Sequence, residues 1–329
     1  MRTLVIGGTL FIGRALVKEL LQAGHQVSVL HRKPGHDLGK RVGNLMADRN
    51  DPASMRAALA SERFDVVFDN VYDWGRGTTA KQVESTAKAC GDHLSRYVFM
   101  SSVAAYGDGL DHVESDDLAP DGHPDLYARN KAMSERALFR MNEKGGFPAV
   151  TLRPPYIYGP GNPFYREAFF WDRLRSGRPI LVPGDGKRLM QFAYVKDLVR
   201  ACLLTMESPQ AVGHAFNIAH PRAITQSQLV RELGKAAGLP VRLSLVDREK
   251  ITQAGGNQLT GPLYFGVYFD MPPITGRTEK ARKVLGWKAT GFRAGLEESY
   301  RWHKRNHKRP ELDFSFEDAL MAHECPQPH

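Results

Sequence analysis

Tyr127 and Lys131 stand four residues apart, in a stretch (Pro124–Asn142) whose apolar positions recur at helical spacing. On a helix that spacing puts both side chains on one face. An ammonium beside a phenol stabilises the phenolate and draws its pKa from about 10 toward neutrality. Such a tyrosine can give a proton to a carbonyl oxygen or take one from a hydroxyl. The spacing alone is weak, because Tyr300 and Lys304 repeat it in a basic C-terminal run. Context separates the two pairs. Tyr127 follows Ser102 by 25 residues, and Ser101-Ser102 stands just past the apolar run Tyr97–Met100. Ser102 can hydrogen-bond the reacting oxygen and orient it. Taken singly, the serines also read as a strand-end turn and the tyrosine as a half-buried helix residue. The set of three points to proton transfer at a hydroxyl or carbonyl carbon.

A phosphate cradle precedes this set. Gly7-Gly8-Thr9-Leu10-Phe11-Ile12-Gly13 follows the first strand-like run and opens the first helical one, the context a dinucleotide-binding turn requires. Gly7 permits the tight turn, Gly13 lets helix and strand approach, and the free N–H groups at the helix start can hold a pyrophosphate. Leu10 is irregular, standing where a middle glycine is expected. At the end of the second strand an NAD-binding fold usually carries an acid for the ribose 2′-hydroxyl. Here the chain reads His31-Arg32-Lys33. Arg32, assisted by His31 or Lys33, suits a 2′-phosphate. The expected cofactor is therefore NADP, with NAD as the alternative. A solvated basic turn is the bland reading of the same residues.

The elements that must position these residues alternate. Strand-like runs fall at Thr3–Ile6, Gln26–Leu30, Asp65–Phe68, Tyr97–Met100 and Ala149–Leu152. Helical patterns lie between them at Phe11–Ala23, Pro52–Ala60, Thr78–Asp92 and Pro124–Asn142. Buried strands alternating with helices predict an α/β fold, a doubly wound parallel sheet of the Rossmann type. A smaller C-terminal substrate lobe is expected after the Pro- and Gly-rich stretch that begins at Pro154. The predicted division is a dinucleotide-binding domain over 1–158, a substrate lobe over 159–310 and a tail over 311–329. A segment at about 186–219, with the helix Val195–Met206 and the run Ala215–Ile218, returns to the first domain. The net charge of +9 favours acidic ligands: a phosphorylated cofactor, a nucleotide-linked substrate or nucleic acid. Three dispersed cysteines, Cys90, Cys202 and Cys325, argue against a disulfide framework or structural zinc. No apolar run approaches a membrane span, and no signal peptide precedes the first strand, so the cytoplasm is expected.

Together these residues resemble the extended short-chain dehydrogenase/reductase family of nucleotide-sugar epimerases, dehydratases and related reductases. The resemblance also rests on Asp48, Tyr106-Gly107, Leu152-Arg153-Pro154, Tyr158-Gly159-Pro160-Gly161, Gly184-Asp185-Gly186, Val195-Lys196-Asp197, Asn217-Ile218 and Leu285-Gly286-Trp287. It implies an oxidoreductase or epimerase that moves hydride at a hydroxyl or carbonyl carbon of a small, sugar-nucleotide-like or other substrate. It further implies that Asp48 touches the adenine, that Asn70, Val71 and Ser101 line the cofactor, and that Pro154 and Tyr156 meet the nicotinamide side. A homodimer through Thr78–Asp92 and Pro124–Asn142 is implied as well. The turn with Leu10, and the segments Phe169–Leu174 and Pro179–Gly184, look like a subgroup that includes chloroplast stem-loop RNA-binding proteins, but here the Tyr/Lys pair is kept. Tyr156 replaces the asparagine common in nucleotide-sugar epimerases, and Met190 replaces their substrate-phosphate arginine. Val103-Ala104 after Ser102 replaces the acids typical of 4,6-dehydratases.

Other readings remain beside this one. The basic run around Trp302 suits RNA through phosphate contacts and stacking, or is a solvated terminal helix. A non-catalytic NADP sensor would not need the Ser/Tyr/Lys set. His303 and His307 share metal-ligand spacing but have no carboxylate or cysteine nearby in sequence, and His323 and Cys325 are isolated; no metal is expected. Arg153, Arg188 and Arg277 are candidates for a substrate phosphate or carboxylate, or for structural ion pairs.

Overall fold

The computed structural model describes residues 1–308 and 311–322. His323 and Cys325 lie outside them. Seven strands form one parallel sheet: β1 (Arg2–Ile6), β2 (Gln26–His31), β3 (Val42–Met46), β4 (Val66–Asp69), β5 (Arg96–Met100), β6 (Ala149–Arg153) and β7 (His214–Asn217). Their spatial order is β7-β6-β5-β4-β1-β2-β3. The winding reverses between β1 and β4, and ligands of doubly wound sheets bind beyond the strand ends at such a reversal.

Side chains on β1 alternate between two cores, as the strand period of two requires. Val5 joins Leu16, Val98, Leu198 and Phe216 on one face, under α1 (Phe11–Gln22) and the helix Val195–Glu207. Leu4 and Ile6 join Met55, Val83 and Leu138 on the other, under α2 (Pro52–Leu59), α3 (Ala80–Ala89) and α4 (Leu126–Gly145). With both faces covered, β4 and β6 are buried throughout. Capping sets the helix starts. Thr79 and Gln82 close a capping box on α3, and Asp125 accepts from the N–H groups of Tyr127 and Ala128 on α4. Those caps start α3 and α4 two residues later than their apolar patterns suggest. β3 is absent from the strand-like runs read along the sequence because its pattern hides it: only Val42 of its five residues is buried.

The chain divides into two compact units. The first comprises Met1–Ile157, Phe192–Pro221 and Ile274–Ala289; the second comprises Tyr158–Gln191, Arg222–Pro273 and the described residues from Thr290 onward. The return at Ile274–Ala289 differs from the sequence-based division, which left it in the second lobe. Its strand Ile274–Gly276 is too short to show as an apolar run, yet it pairs in parallel with Gly109–His112 of the first unit. The second unit has its own aromatic core of Phe169, Phe170, Trp171, Phe265 and Phe269. No helix among the described residues is long and apolar enough to cross a membrane.

Candidate active site

The glycine turn admits no side chains where the sequence has none. A Cβ on Gly13 would stand 2.1 Å from the Gly7 carbonyl oxygen, and one on Gly7 would stand 2.5 Å from Val71 Cγ2. Gly7 itself has φ +82°, and Phe11, the first residue of α1, has φ +40°. Leu10 is extended at the helix N-cap, makes no side-chain cap bond and is 61% exposed. Thr9 lends its carbonyl oxygen to Arg14 Nε at 3.2 Å, and Ile12 packs against the core. Beside this turn the Asn70 N–H donates to the Ile6 carbonyl, while Asn70 Nδ2 is buried without a hydrogen-bond partner. A cradle closed to any Cβ, with an orphaned amide at its edge, fits the phosphate and ribose groups of a dinucleotide.

At the end of β2 the three basic residues separate. His31 Nε2 lies 2.6 Å from Asn44 Oδ1 on β3, while Arg32 and Lys33 are exposed. Arg32 lies 3.6 Å from Asp73, an acid that the sequence reading did not connect with it. Arg76 donates to Asp73 at 2.7 Å and to Asp48 at 3.0 Å. Hydrogen bonds from Arg76 hold the Asp73 carboxyl below its usual value. Burial pushes Asp48 up, but the Asn50 N–H and Arg76 outweigh it and hold Asp48 low. Arg32, Asp73, Arg76 and Asp48 thus form a chain of alternating charge.

Lys131 reaches the end of β5 with the Tyr127 ring beside it, and Ser102 stands two residues past that strand end. Ser102 caps a short 3-10 turn, Val103–Tyr106, accepting from the Ala104 N–H at 3.1 Å; its Oγ lies 3.4 Å from the Pro154 carbonyl oxygen. Lys131 is 4% exposed, and its Nζ donates to the Met100 carbonyl at 2.6 Å. That nitrogen stands 4.7 Å from the Phe99 ring centre and 5.7 Å from the Tyr127 ring centre. Burial lowers the Lys131 pKa to about 8, although Asp69 and Glu135 oppose the shift. Trp74 stacks on Tyr127 with centroids 4.9 Å apart, and Tyr72 meets its edge at 4.7 Å. Tyr156 is half-buried and tilted against Phe192 at 5.8 Å.

Buried charges support this corner. Glu135 is fully buried and accepts from Ser101 Oγ, from Thr151 Oγ1 at 2.8 Å and from Arg153 Nη2 at 2.8 Å. Arg153 Nη1 also donates to Tyr106 Oη at 2.8 Å. Arg153 is therefore a structural partner of Glu135. Arg49 pairs with Asp69 at 2.6 Å, and Asp69 also accepts from Tyr97 Oη at 2.7 Å. Sequence reasoning missed Glu135, whose signal was available: it follows Lys131 by one helical turn. Trp74 and Tyr72 carry no such signal. Arg188 pairs with Asp270 at 2.9 Å, and exposed Arg277 lies 3.6 Å from Glu279. Met190 is buried in a two-residue strand. His303 and His307 do not belong to a solvated run: Asp172, far away in sequence, lies against both.

The fold is that of a doubly wound α/β protein, with Lys131 and Tyr127 side by side at the strand ends. Residues 3–219 match the model of the NAD dependent epimerase/dehydratase family, and the chain belongs to that family of oxidoreductases and epimerases. It is 31% identical to the chloroplast stem-loop binding protein of 41 kDa b of Arabidopsis thaliana, over 98% of this chain and 84% of the relative. It is also 31% identical to 2-alkyl-3-oxoalkanoate reductase of Stenotrophomonas maltophilia (strain K279a), over 73% of this chain and 77% of the relative. UDP-glucuronic acid 4-epimerase from Bacillus cereus, solved in complex with NAD, shares the fold with a TM-score of 0.72 at 20% identity, covering 95% of this chain and 99% of that one.

Proposed function

We propose that this chain is an NADP(H)-dependent oxidoreductase or epimerase acting at a hydroxyl or carbonyl carbon of a small molecule. The observation that carries the reading is Lys131: a buried ammonium, tied to the end of β5 two residues before Ser102 and set against the Tyr127 ring. The turn Gly7–Gly13 with Asn70 and Val71 holds the pyrophosphate and ribose, and Asp48 lies toward the adenine. Arg32, with Lys33 or His31, takes the 2′-phosphate by exchanging Asp73 for it. Pro154 and Tyr156 face the nicotinamide side, whereas the Ser101 hydroxyl is taken up by Glu135. The bound nicotinamide supplies or accepts the hydride.

The chain's own residues manage the proton. In the reductive direction the Tyr127 hydroxyl donates to the substrate oxygen, and Lys131 stabilises the phenolate left behind. Ser102 fixes that oxygen by a hydrogen bond. Trp74 and Tyr72 cover the Tyr127 ring and limit water around it. Tyr156 and Met190 stand in place of the asparagine amide and the arginine guanidinium that hold a standard nucleotide sugar, which favours a different carbonyl or hydroxyl compound. The dimer through α3 and α4 belongs to the same proposal. RNA binding is less well supported. Tyr300 and His303 of the basic run are buried, and that activity would not need Tyr127.

Titrating the protein with NADPH and NADH, then screening carbonyl and nucleotide-sugar substrates with the preferred cofactor, tests the reading. Tighter NADPH binding, weakened by Arg32→Ala, is expected. A clear NADH preference would assign the 2′-hydroxyl to Asp73 or Asp48 and overturn the NADP assignment. Salt-sensitive RNA binding unchanged by Tyr127→Phe, without turnover on any substrate, would favour the RNA reading.

A further inference from the structure

We propose that Asp172, His303 and His307 form a binding site for a divalent transition-metal ion in the second unit. The helix Phe292–Asn306 carries His303 in its last turn and ends on His307, so the four-residue spacing brings both rings to one side, stacked with centroids 4.3 Å apart. The helix Glu167–Arg175 brings Asp172 to them. His307 Nε2 lies 3.1 Å from Asp172 Oδ2, and His303 Nε2 lies 3.6 Å from Asp172 Oδ1. One ligand atom from each of the three residues lies within 4.8 Å of the others. Tetrahedral ligands at the usual zinc bond lengths stand about 3.3 Å apart, so the two measured distances bracket that separation.

A second observation points the same way. His303 is 2% exposed, and its Nε2 faces only Asp172 Oδ1, which at 3.6 Å is too far for a hydrogen bond. A buried ring nitrogen left so is rare and is satisfied by an ion at this point. Tyr165 Oη donates to Asp172 Oδ2 at 2.9 Å, the kind of outer hydrogen bond that orients a ligating carboxylate. Both histidines also line a pocket of about 110 Å³ with Asn162, Glu167, Trp171 and Trp302, and the buried Glu167 Oε1 is likewise unpartnered. That pocket leaves room for water or another small ligand at a fourth position. Two imidazoles and one carboxylate suit zinc and its first-row neighbours better than magnesium or calcium.

The test uses the untagged full-length protein, stripped with a chelator and titrated with Zn²⁺ against a chromogenic competitor, in wild type and His307→Ala. His307 is partly exposed, and circular dichroism of the metal-free proteins checks that the variant keeps the fold. One tight equivalent in wild type, weakened about a hundredfold or more in the variant, is expected. Co²⁺ titration of the wild type gives a readout independent of any variant: intense visible absorption marks tetrahedral coordination. Absence of a tight equivalent, equal affinity in the variant, or only the weak spectrum of hydrated Co²⁺ would each overturn the proposal.

Discussion

Lys131 places a charge where water does not reach. Its pKa falls from 10.5 to about 8 because burial penalises the ammonium. Below pH 8 the lysine is protonated in both states, and folding bears the whole penalty. Between pH 8 and 10.5 the unfolded chain holds a proton that the folded one has lost, so stability rises with pH across that window. Lys131→Met is expected to abolish this rise and to gain up to about 3 kcal/mol at pH 7, less the Met100 hydrogen bond. Urea denaturation at pH 7 and pH 10 measures both. The same variant should lose turnover by about a hundredfold or more, so that activity and stability move in opposite directions. Tyr127 and Lys131 were legible in the sequence because a four-residue helical spacing is a local property. Asp73 beside Arg32, and Asp172 beside His303, were not, because those pairs form only when distant segments meet. Glu135 lay between the two cases, since its helical spacing was visible but its burial was not.

Among the elements, the strands and helices of the first half announce themselves by apolar runs alternating with amphipathic stretches. β3 did not, because an edge strand with three exposed residues and one half-buried one carries no apolar pattern. Helix ends shifted where caps such as Thr79 and Asp125 overrule periodicity. The turn between β1 and α1 is the most constrained junction. Gly13→Ala would drive a methyl into the Gly7 carbonyl, 2.1 Å away, so the turn must open. The expected result is a loss of about 1–3 kcal/mol in stability and at least about a tenfold loss in NADPH affinity. Calorimetric titration and thermal melting check it. An unchanged affinity would remove this turn from the cofactor site.

At the scale of the whole molecule, the chain crosses between its two units several times. The first return was legible as a helix followed by an apolar run. The second was hidden in a three-residue strand. β7 and the helix Val195–Glu207 complete the core around Val5, Val98 and Phe216, although they come long after residue 158. A fragment of residues 1–158 would therefore expose the part of one apolar sheet face that α1 does not cover. It is expected to aggregate or to melt without cooperativity, whereas the full chain melts cooperatively; calorimetry distinguishes the two. A fragment that melted sharply would show that the late segments are dispensable.

The central claim is that Tyr127 delivers the proton while hydride moves at the neighbouring carbon. The most direct measurement compares wild type and Tyr127→Phe for product formation on the best substrate found, with NADPH affinity measured in parallel. The account predicts that cofactor affinity stays within about twofold while turnover falls by about a hundredfold to ten-thousandfold. A variant that binds cofactor normally and keeps its full turnover would contradict it.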